Sequence, residues 1–365
     1  MDVLKFGGTS VGNAAAITQA CAIIAGKAKA GRKPVVVVSA VRGITDKLLC
    51  AFEGDKTIFS QLREIHGKII AELGLSPDLL DSDFLLLEKL LSKNNGSPAD
   101  KAVISSFGER LSARIASSFL QNQGYSSKAL VASEIGLITT SDFDAAEPLP
   151  IAYENIRKNL SSLPQDCIPV ITGFIGVTQD GSVTTLGRGG SDFSAAIIGA
   201  AIGASVIEIW TDVDGIMSAD PRVVPSAKTI AQVSFQEAAE LAFFGARVLH
   251  PKTILPAVEK NIPVKVLNTF NPTHAGTTIV AKSSQSNKII KAFTCKKRVS
   301  LIHLDSTRML GSSGFMARIF EVFKKHGISV DVVATSEVSV SLTTDSPFDF
   351  QTIRGDLEQV ASVSY

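Results

Sequence analysis

Short apolar runs and helix-spaced apolar positions alternate along this chain. Val3-Leu4-Lys5-Phe6 reads as a strand that ends in Gly7-Gly8-Thr9-Ser10. Asn13 caps a helix over roughly Ala14 to Ala30, apolar at Ile17, Cys21, Ile24 and Ala28, and Gly31 stops it. Pro34 precedes Val35-Val36-Val37-Val38, a fully apolar strand of the kind buried in a parallel sheet. Strand, helix and strand make a βαβ unit with a right-handed crossover. Its second strand runs into the small-residue loop Ser39–Thr45, at the carboxyl end where open α/β sheets hold ligands.

Residues 47–95 are leucine-rich with helical spacing, a helical excursion that covers the sheet or forms a lid. Asn94–Pro98 breaks it, and Ile104–Arg110 opens the next helix with Glu109 near its first turn. Strands are expected at 128–132 and 168–172, the latter followed by the loop Thr172-Gly173-Phe174-Ile175-Gly176 and a hairpin turn at Gln179-Asp180-Gly181. Val183-Thr184-Thr185 then leads into a glycine turn and a small-residue helical run, Ala195–Ala201. Val206–Trp210 is another buried strand, residues 235–259 are helical, and Val264–Leu267 is expected to close the sheet. The chain turns polar near 282–290, which divides it into 1–282 and 283–365. The second part reads βαββα, most of a ferredoxin-like split unit, with one more strand starting at Tyr365. The fold class is α/β: an open, mainly parallel sheet with helices on both faces, plus a C-terminal ferredoxin-like α+β domain.

Composition narrows the function classes. With 365 residues, 45% hydrophobic and 19% charged, the profile is that of a soluble globular protein with two domains. A net charge of +1 gives no basic surface, so nucleic acid is not an expected partner. The four cysteines are widely spaced without a CxxC, which suits a reducing cytoplasm and no structural zinc. No HExxH occurs among the five histidines, and no metal site is expected. The first residues read as a strand, not a signal peptide, and Val35–Val38 is too short to cross a bilayer, so no membrane partner is expected.

The chemistry centres on Gly187-Arg188-Gly189-Gly190-Ser191-Asp192. Glycines let a backbone approach a ligand closely, and N–H groups at a helix start hold anionic oxygens. Arg188 adds a planar fork suited to carboxylate or phosphate. Asp192 fits an anion site only if it organises cations around the phosphate; a plain glycine turn capped by Ser191 and Asp192 is the alternative reading. No GxxxxGK[ST] occurs, yet Lys5 beside Gly7-Gly8-Thr9 supplies an ammonium and a glycine loop. Phosphoryl transfer needs positioning and charge neutralisation above all. Arg42 is read as a solvated loop charge, and Glu109 as either a helix-terminus acid or a ligand group.

Six ordered motifs make the chain recognisable: Lys5–Val11, Ser106–Glu109, Gly187–Ala195, Trp210–Ile216, Asp220-Pro221-Arg222 and Leu249-His250-Pro251. Together they closely resemble the aspartate kinases of the amino acid kinase family. The stretches Met309–Met316 and Ile328–Val340 look like the first ACT domain of the lysine-sensitive form.

The resemblance implies ATP-dependent phosphorylation of the side-chain carboxylate of L-aspartate, the first step toward lysine, threonine, methionine and diaminopimelate, with feedback inhibition by lysine. Lys5, Gly7, Gly8 and Asp192 would be catalytic, with Asp192 holding Lys5 and helping to organise nucleotide-bound Mg2+. Arg188, Gly189, Gly190 and Ser191 would bind substrate with Ser39, Thr45 and Glu109, the last taking the ammonium group. The nucleotide would lie along Thr211, Asp212, Met217, Arg222, Arg247 and Val248, besides Lys5, Gly7 and Gly8. Relatives commonly carry tyrosine at Met217 and lysine at Arg247, so ATP is expected to bind with its affinity and nucleotide preference left open. Effector lysine would contact Met309, Ser312, Phe315, Met316, Ser329, Val330, Asp331, Ser336 and Glu337, which are expected to bracket one end of the ACT-like sheet in a homodimer. A second ACT domain is implied, of which the sequence holds the first strand, around Ile289–Cys295. The alternatives are an acetylglutamate or glutamate 5-kinase, disfavoured by the tail and Ser106–Glu109, and a silent lysine sensor, disfavoured by Lys5, Arg188 and Asp192.

Overall fold

The computed structural model describes residues 1–244, 249–283, 290–296, 299–345 and 348–365. These form two compact units, Met1–Thr294 and Cys295–Tyr365.

The first unit is built on ten strands: β1 (Asp2–Phe6), β2 (Pro34–Val38), β3 (Ser127–Leu130), β4 (Ile168–Thr172), β5 (Ile175–Val177), β6 (Val183–Thr185), β7 (Val206–Thr211), β8 (Gln232–Ser234), β9 (Val264–Asn268) and β10 (Thr277–Val280). Eight of them make one sheet in the order β3-β4-β2-β1-β7-β9-β10-β8. Every neighbouring pair is parallel except β9 with β10. β5 and β6 form a separate antiparallel hairpin. The sequence expectation that Val264–Leu267 closes the sheet is corrected: β10 and β8 continue it. They have four and three residues, too few for an alternating pattern to stand out.

The period of two along a strand sorts the core onto two faces. Leu4, Phe6, Val36 and Val38 pack with the helices Ala14–Lys29 and Phe107–Asn122. Val3, Val35 and Val37 pack with the helices Pro150–Ser161 and Gly190–Ile202. Lys5 alternates with Leu4 and Phe6, so it lies on the side of Gly190–Ile202. Leu48, Leu62, Phe84 and Leu87, from the helices Ile44–Phe52, Thr57–Glu72 and Asp81–Lys93, join the first core, so the leucine-rich excursion covers the sheet. Asn13 caps the first helix through Ala16 N–H, and Ser97 caps the helix Pro98–Ser105.

Small residues set how closely layers approach. A Cβ at Gly199 would stand 2.6 Å from Ile207 Cδ1, so the helix Gly190–Ile202 sits hard against β7. Gly276, between β9 and β10, has φ +66°, and a Cβ there would stand 2.1 Å from the Val266 carbonyl oxygen.

The second unit has β11 (Ser300–Asp305), β12 (Val332–Thr335), β13 (Ser339–Thr344) and β14 (Ser362–Ser364) in the order β12-β13-β11-β14. The helices Phe315–Lys325 and Phe350–Glu358 close its core through Phe315, Ile319, Phe323, Ile353 and Leu357. The strand expected at Tyr365 is β14, antiparallel to β11. The strand expected around Ile289–Cys295 is corrected. Ile289 lies outside the described residues, and Ile290–Cys295 form no strand. Their polar groups bond to the first unit instead: Phe293 N–H to the Ser218 carbonyl and Thr294 Oγ1 to the Phe244 carbonyl.

Gly276→Ala is expected to destabilise the first unit by roughly 2–5 kcal/mol, because both the backbone conformation and the contact with Val266 forbid a Cβ. Thermal unfolding checks it; an unchanged midpoint would contradict the packing.

Candidate active site

The carboxyl ends of β1, β2 and β4 converge where the chain order switches sides of β1, the place an open α/β sheet offers a ligand. A cavity of about 420 Å³ opens there. Lys5, Gly8, Ser39, Thr45, Glu109 and Arg188 through Asp192 all line it. A larger groove of about 760 Å³ on the second unit is lined by exposed side chains such as Arg308 and Arg354 and holds no buried ionisable group. The smaller cavity, by contrast, is lined by the buried Lys5 and Glu109.

Lys5 Nζ lies 2.6 Å from Asp192 Oδ1, with both side chains nearly buried. A lone ammonium at such a position would carry a heavy desolvation cost, which the carboxylate offsets. Asp192 sits in the first turn of the helix Gly190–Ile202, where an acid is also favoured by the helix dipole. The turn before it depends on glycine twice: Gly187 and Gly189 have φ of +74° and +71°. A Cβ at Gly189 would also stand 2.9 Å from Thr253 Cγ2. Between these glycines Arg188 projects outward, exposed and without an ion-pair partner among the described residues. On the other wall, a Cβ at Gly8 would stand 2.9 Å from the Ala40 carbonyl oxygen, and Arg42 N–H donates to the Gly8 carbonyl. The glycine loop after β1 and the loop after β2 are therefore one packed layer.

Glu109 enters from the start of the helix Phe107–Asn122. Its Oε1 accepts the Ala40 N–H at 3.1 Å, and its Oε2 is buried without a hydrogen-bond partner. Gly108 makes this approach possible, since a Cβ there would stand 2.6 Å from Ala40 Cβ. Burial pushes the carboxyl up to about 8, against the pull of the Ala40 N–H and of Lys5. An under-solvated carboxyl with one free oxygen is a receptor for a cation or a hydrogen-bond donor.

Of the candidate nucleotide residues, Lys5 and Gly8 line this cavity, whereas Thr211, Asp212, Met217 and Arg222 do not. Thr211 ends β7, and Asp212 accepts from its hydroxyl. The Trp210 carbonyl accepts from both Gly7 N–H and Ser10 Oγ, tying the glycine loop to β7. Met217 receives the Thr229 hydroxyl on its sulfur. Arg222 is engaged by Asp220 through Nε at 3.0 Å and Nη2 at 2.8 Å. Arg247 and Val248 lie outside the described residues.

Several lining residues were not assigned from sequence, Arg42 and Phe174 among them. Arg42, read as a solvated loop charge, is exposed but lines the same cavity. Phe174 also lines it, from a turn with φ +66°. Its place after a strand was a signal, but a left-handed phenylalanine has no sequence signature.

Residues 2–268 match the amino acid kinase family, and residues 302–347 match the ACT domain. Aspartokinase 3, chloroplastic, of Arabidopsis thaliana is 40% identical over 380 residues, covering 98% of this chain and 67% of that protein. Lysine-sensitive aspartokinase 3 of Escherichia coli is 37% identical, covering 94% of this chain and 78% of that protein. The chain belongs to the amino acid kinase family, in its aspartokinase branch. The structure of E. coli aspartokinase III in complex with lysine and aspartate aligns with a TM-score of 0.84 at 35% identity, over 100% of this chain and 84% of that one. The chain spans about two thirds of the length of its plant relatives.

In this aspartokinase chain the candidate effector residues divide. Met309 and Ser312 lie in the β11–helix loop, and Ser336 and Glu337 lie in the β12–β13 turn at the same end of the sheet; Ser306 N–H donates to the Val338 carbonyl there. Ser329, Val330 and Asp331 precede β12 at the other end. The expectation that all bracket one end is thus corrected: β12 separates Asp331 from Ser336 by roughly 16 Å of extended chain. Phe315 is core, at 3% exposure, and Met316 packs beside it. Asp331 is held by Lys296 at 2.9 Å, which also meets Asp345 at 2.7 Å.

Glu109 gives a pH-dependent prediction. Its folded-state pKa of about 8 lies above the ordinary 4.5, so the folded chain keeps a proton that the unfolded chain releases. Stability is therefore lost as pH rises through that window. Glu109→Gln should unfold at a higher temperature than the parent above about pH 8, and the gain should shrink toward pH 5. Parallel melting curves across the range would show a Glu109 with no such burden.

Proposed function

We propose that the chain transfers the γ-phosphoryl group of ATP to the side-chain carboxylate of L-aspartate, forming 4-phospho-L-aspartate. The observation that carries this is one cavity holding the Lys5–Asp192 pair, the exposed Arg188 guanidinium and the half-satisfied Glu109 carboxyl. Structural kinship supports it: E. coli aspartokinase III, crystallised with aspartate and ADP, aligns with a TM-score of 0.82 at 34% identity.

The attacking carboxylate is already ionised at neutral pH, so no general base is required. The barrier comes from driving two anions together, and catalysis is positioning plus charge neutralisation. Lys5 neutralises the transferring phosphoryl group, and the N–H groups of Gly8 and Gly189 add fixed dipoles, while Gly7, whose N–H is taken by the Trp210 carbonyl, holds the loop in place. Asp192 keeps Lys5 aimed. Arg188 takes the substrate α-carboxylate as a bidentate fork, with Ser39, Thr45, Gly190 and Ser191 shaping the pocket. The free Glu109 oxygen takes the ammonium group. That contact selects an amino acid over a simple diacid. Among the described residues no three His, Cys, Asp or Glu side chains converge on a metal position. Mg2+ would enter with the nucleotide and would supply charge neutralisation on the phosphates, with Asp192 as the acid that could help hold its hydrating waters. Thr211, Asp212, Met217 and Arg222, with Arg247 and Val248, are assigned to the nucleotide.

Lys5→Ala should cut turnover about a hundred- to thousandfold with the fold retained, the scale of one lost electrostatic contact to a transition state. ATP consumption with a panel of acidic amino acids, with hydroxylamine trapping the acyl phosphate, measures it. Retention of more than about a tenth of the turnover would refute the assignment.

Lysine is the proposed effector, as the E. coli relative was crystallised with it. One chain cannot bring Asp331 and Glu337 to one small ligand, but two copies can. The edge strand β12 is exposed throughout and carries no charge, so a second β12 can pair with it antiparallel and bring opposite ends together. Lysine must then favour the less active arrangement, since equal affinity shifts nothing. Glu337→Gln should relieve inhibition and leave uninhibited turnover unchanged. Inhibition should deepen with protein concentration as copies associate. Insensitivity at every concentration, with no lysine heat in calorimetry, would remove the regulatory assignment and leave the kinase reading intact.

A further inference from the structure

Ser194 is fully buried in the helix Gly190–Ile202 and does not line the cavity. Its hydroxyl is committed on both sides. It donates to the Gly190 carbonyl at 3.0 Å, the back-bond a helical serine often makes. It also accepts the Phe174 N–H at 3.0 Å, and this second bond leaves the helix for the β4–β5 turn.

Phe174 needs such support. Among the described residues, only it and Asn261 hold a positive φ without being glycine. A bulky residue stays in that region only where its surroundings impose it. Its other backbone group is also held: the Phe174 carbonyl accepts the Leu186 N–H at 2.8 Å. Leu186 opens the turn that presents Arg188. The turn also packs on the helix start. A Cβ at Gly173 would stand 2.7 Å from Ser191 Cβ, and one at Gly190 would stand 2.7 Å from Phe174 Cδ2. The ring thus uses the space that glycine leaves, and Phe174 forms cavity wall.

We propose that Ser194 is a positioning residue for substrate recognition: its hydroxyl locks Phe174 into the left-handed turn and, through the Phe174 carbonyl, sets the turn that carries Arg188. This rests on the reading of the cavity as the aspartate site. Without the hydroxyl, the Phe174 N–H loses its partner in a half-buried turn. The turn relaxes toward ordinary φ, the ring leaves Gly190, and the Leu186–Arg188 segment loses its anchor. The ATP residues assigned to the β7 side are not part of this chain of bonds, so the aspartate KM should rise far more than the ATP KM.

The test compares Ser194→Ala with Ser194→Thr, which restores a hydroxyl. Ser194→Ala should raise the aspartate KM about tenfold and move the ATP KM by less than about twofold, and Ser194→Thr should return toward the parent. Amide hydrogen exchange in the ligand-free protein gives a readout independent of activity. In Ser194→Ala the Phe174 amide should exchange about tenfold faster, while the amides of Ile197–Ala201 keep their protection. An unchanged Phe174 amide, an unchanged aspartate KM, or a loss of protection shared by the whole helix would each overturn the proposal. If the parent chain fails to phosphorylate aspartate, the functional reading fails, and exchange at Phe174 still decides whether Ser194 holds the turn.

Discussion

A lysine side chain on the covered face of a central strand is the constraint around which the first unit is arranged. Lys5 stands in β1, between β2 and β7, where its neighbours Val3, Leu4 and Phe6 are core. An ammonium there is tolerable only with a carboxylate in contact, and Asp192 supplies it. That pairing fixes where the helix Gly190–Ile202 begins. The chain must reverse sharply after β6 to place Asp192 in the first helical turn, and Gly187 and Gly189 in left-handed conformations make the reversal. The same reversal throws Arg188 outward. The helix must also lie close to the sheet, which Gly199 permits against Ile207. The glycine turn, the small-residue helix and the outward arginine are three consequences of one buried charge.

The cavity does not cancel its own charges. Lys5 is satisfied by Asp192, and its field on Glu109 is too weak to offset that carboxyl's burial. Glu109 is left short of a partner, while Arg188 at another wall has no ion-pair partner among the described residues. A ligand with an ammonium at one end and carboxylates elsewhere completes both. Its ammonium would bring the raised Glu109 carboxyl back toward ionisation, so binding near neutral pH should be accompanied by proton release. The unsatisfied acid costs stability in the free chain and becomes a specificity contact when occupied. That exchange is common where sites are pre-organised.

Much of this was legible in sequence because it rests on residue types with few other uses. Val35–Val38 could only be a strand covered on both faces, and Asn13 could only be a cap in front of that helical spacing. The glycine turn and Lys5 pointed to phosphate before any geometry was known. What escaped depends on distant parts meeting. β8 and β10 have three and four residues and exist because each pairs with a neighbour. Phe174 holds its turn because Ser194 and Leu186 grip it from elements elsewhere in the chain. Arg42 looked like loop charge because nothing local shows that its loop packs on Gly8. The effector residues looked like one cluster because sequence proximity hides the length of β12.

The second unit carries the same lesson in its charges. Asp331 is not a bare acid awaiting an effector, since Lys296 contacts it and Asp345 together. Two carboxylates share one ammonium, so the group keeps a net negative charge that can still attract a cation. The attraction is weaker than a free Asp331 would exert, and any incoming ammonium must share the acids with Lys296. Glu337, exposed in the β12–β13 turn, has no such competitor among the described residues. On the proposed two-copy arrangement, each effector meets a partly neutralised acid from one copy and a free one from the other. Discrimination then rests on how far apart the effector's two charges can reach. That distance is set by how two β12 strands register against each other, so the sheet edge would determine which amino acid fits.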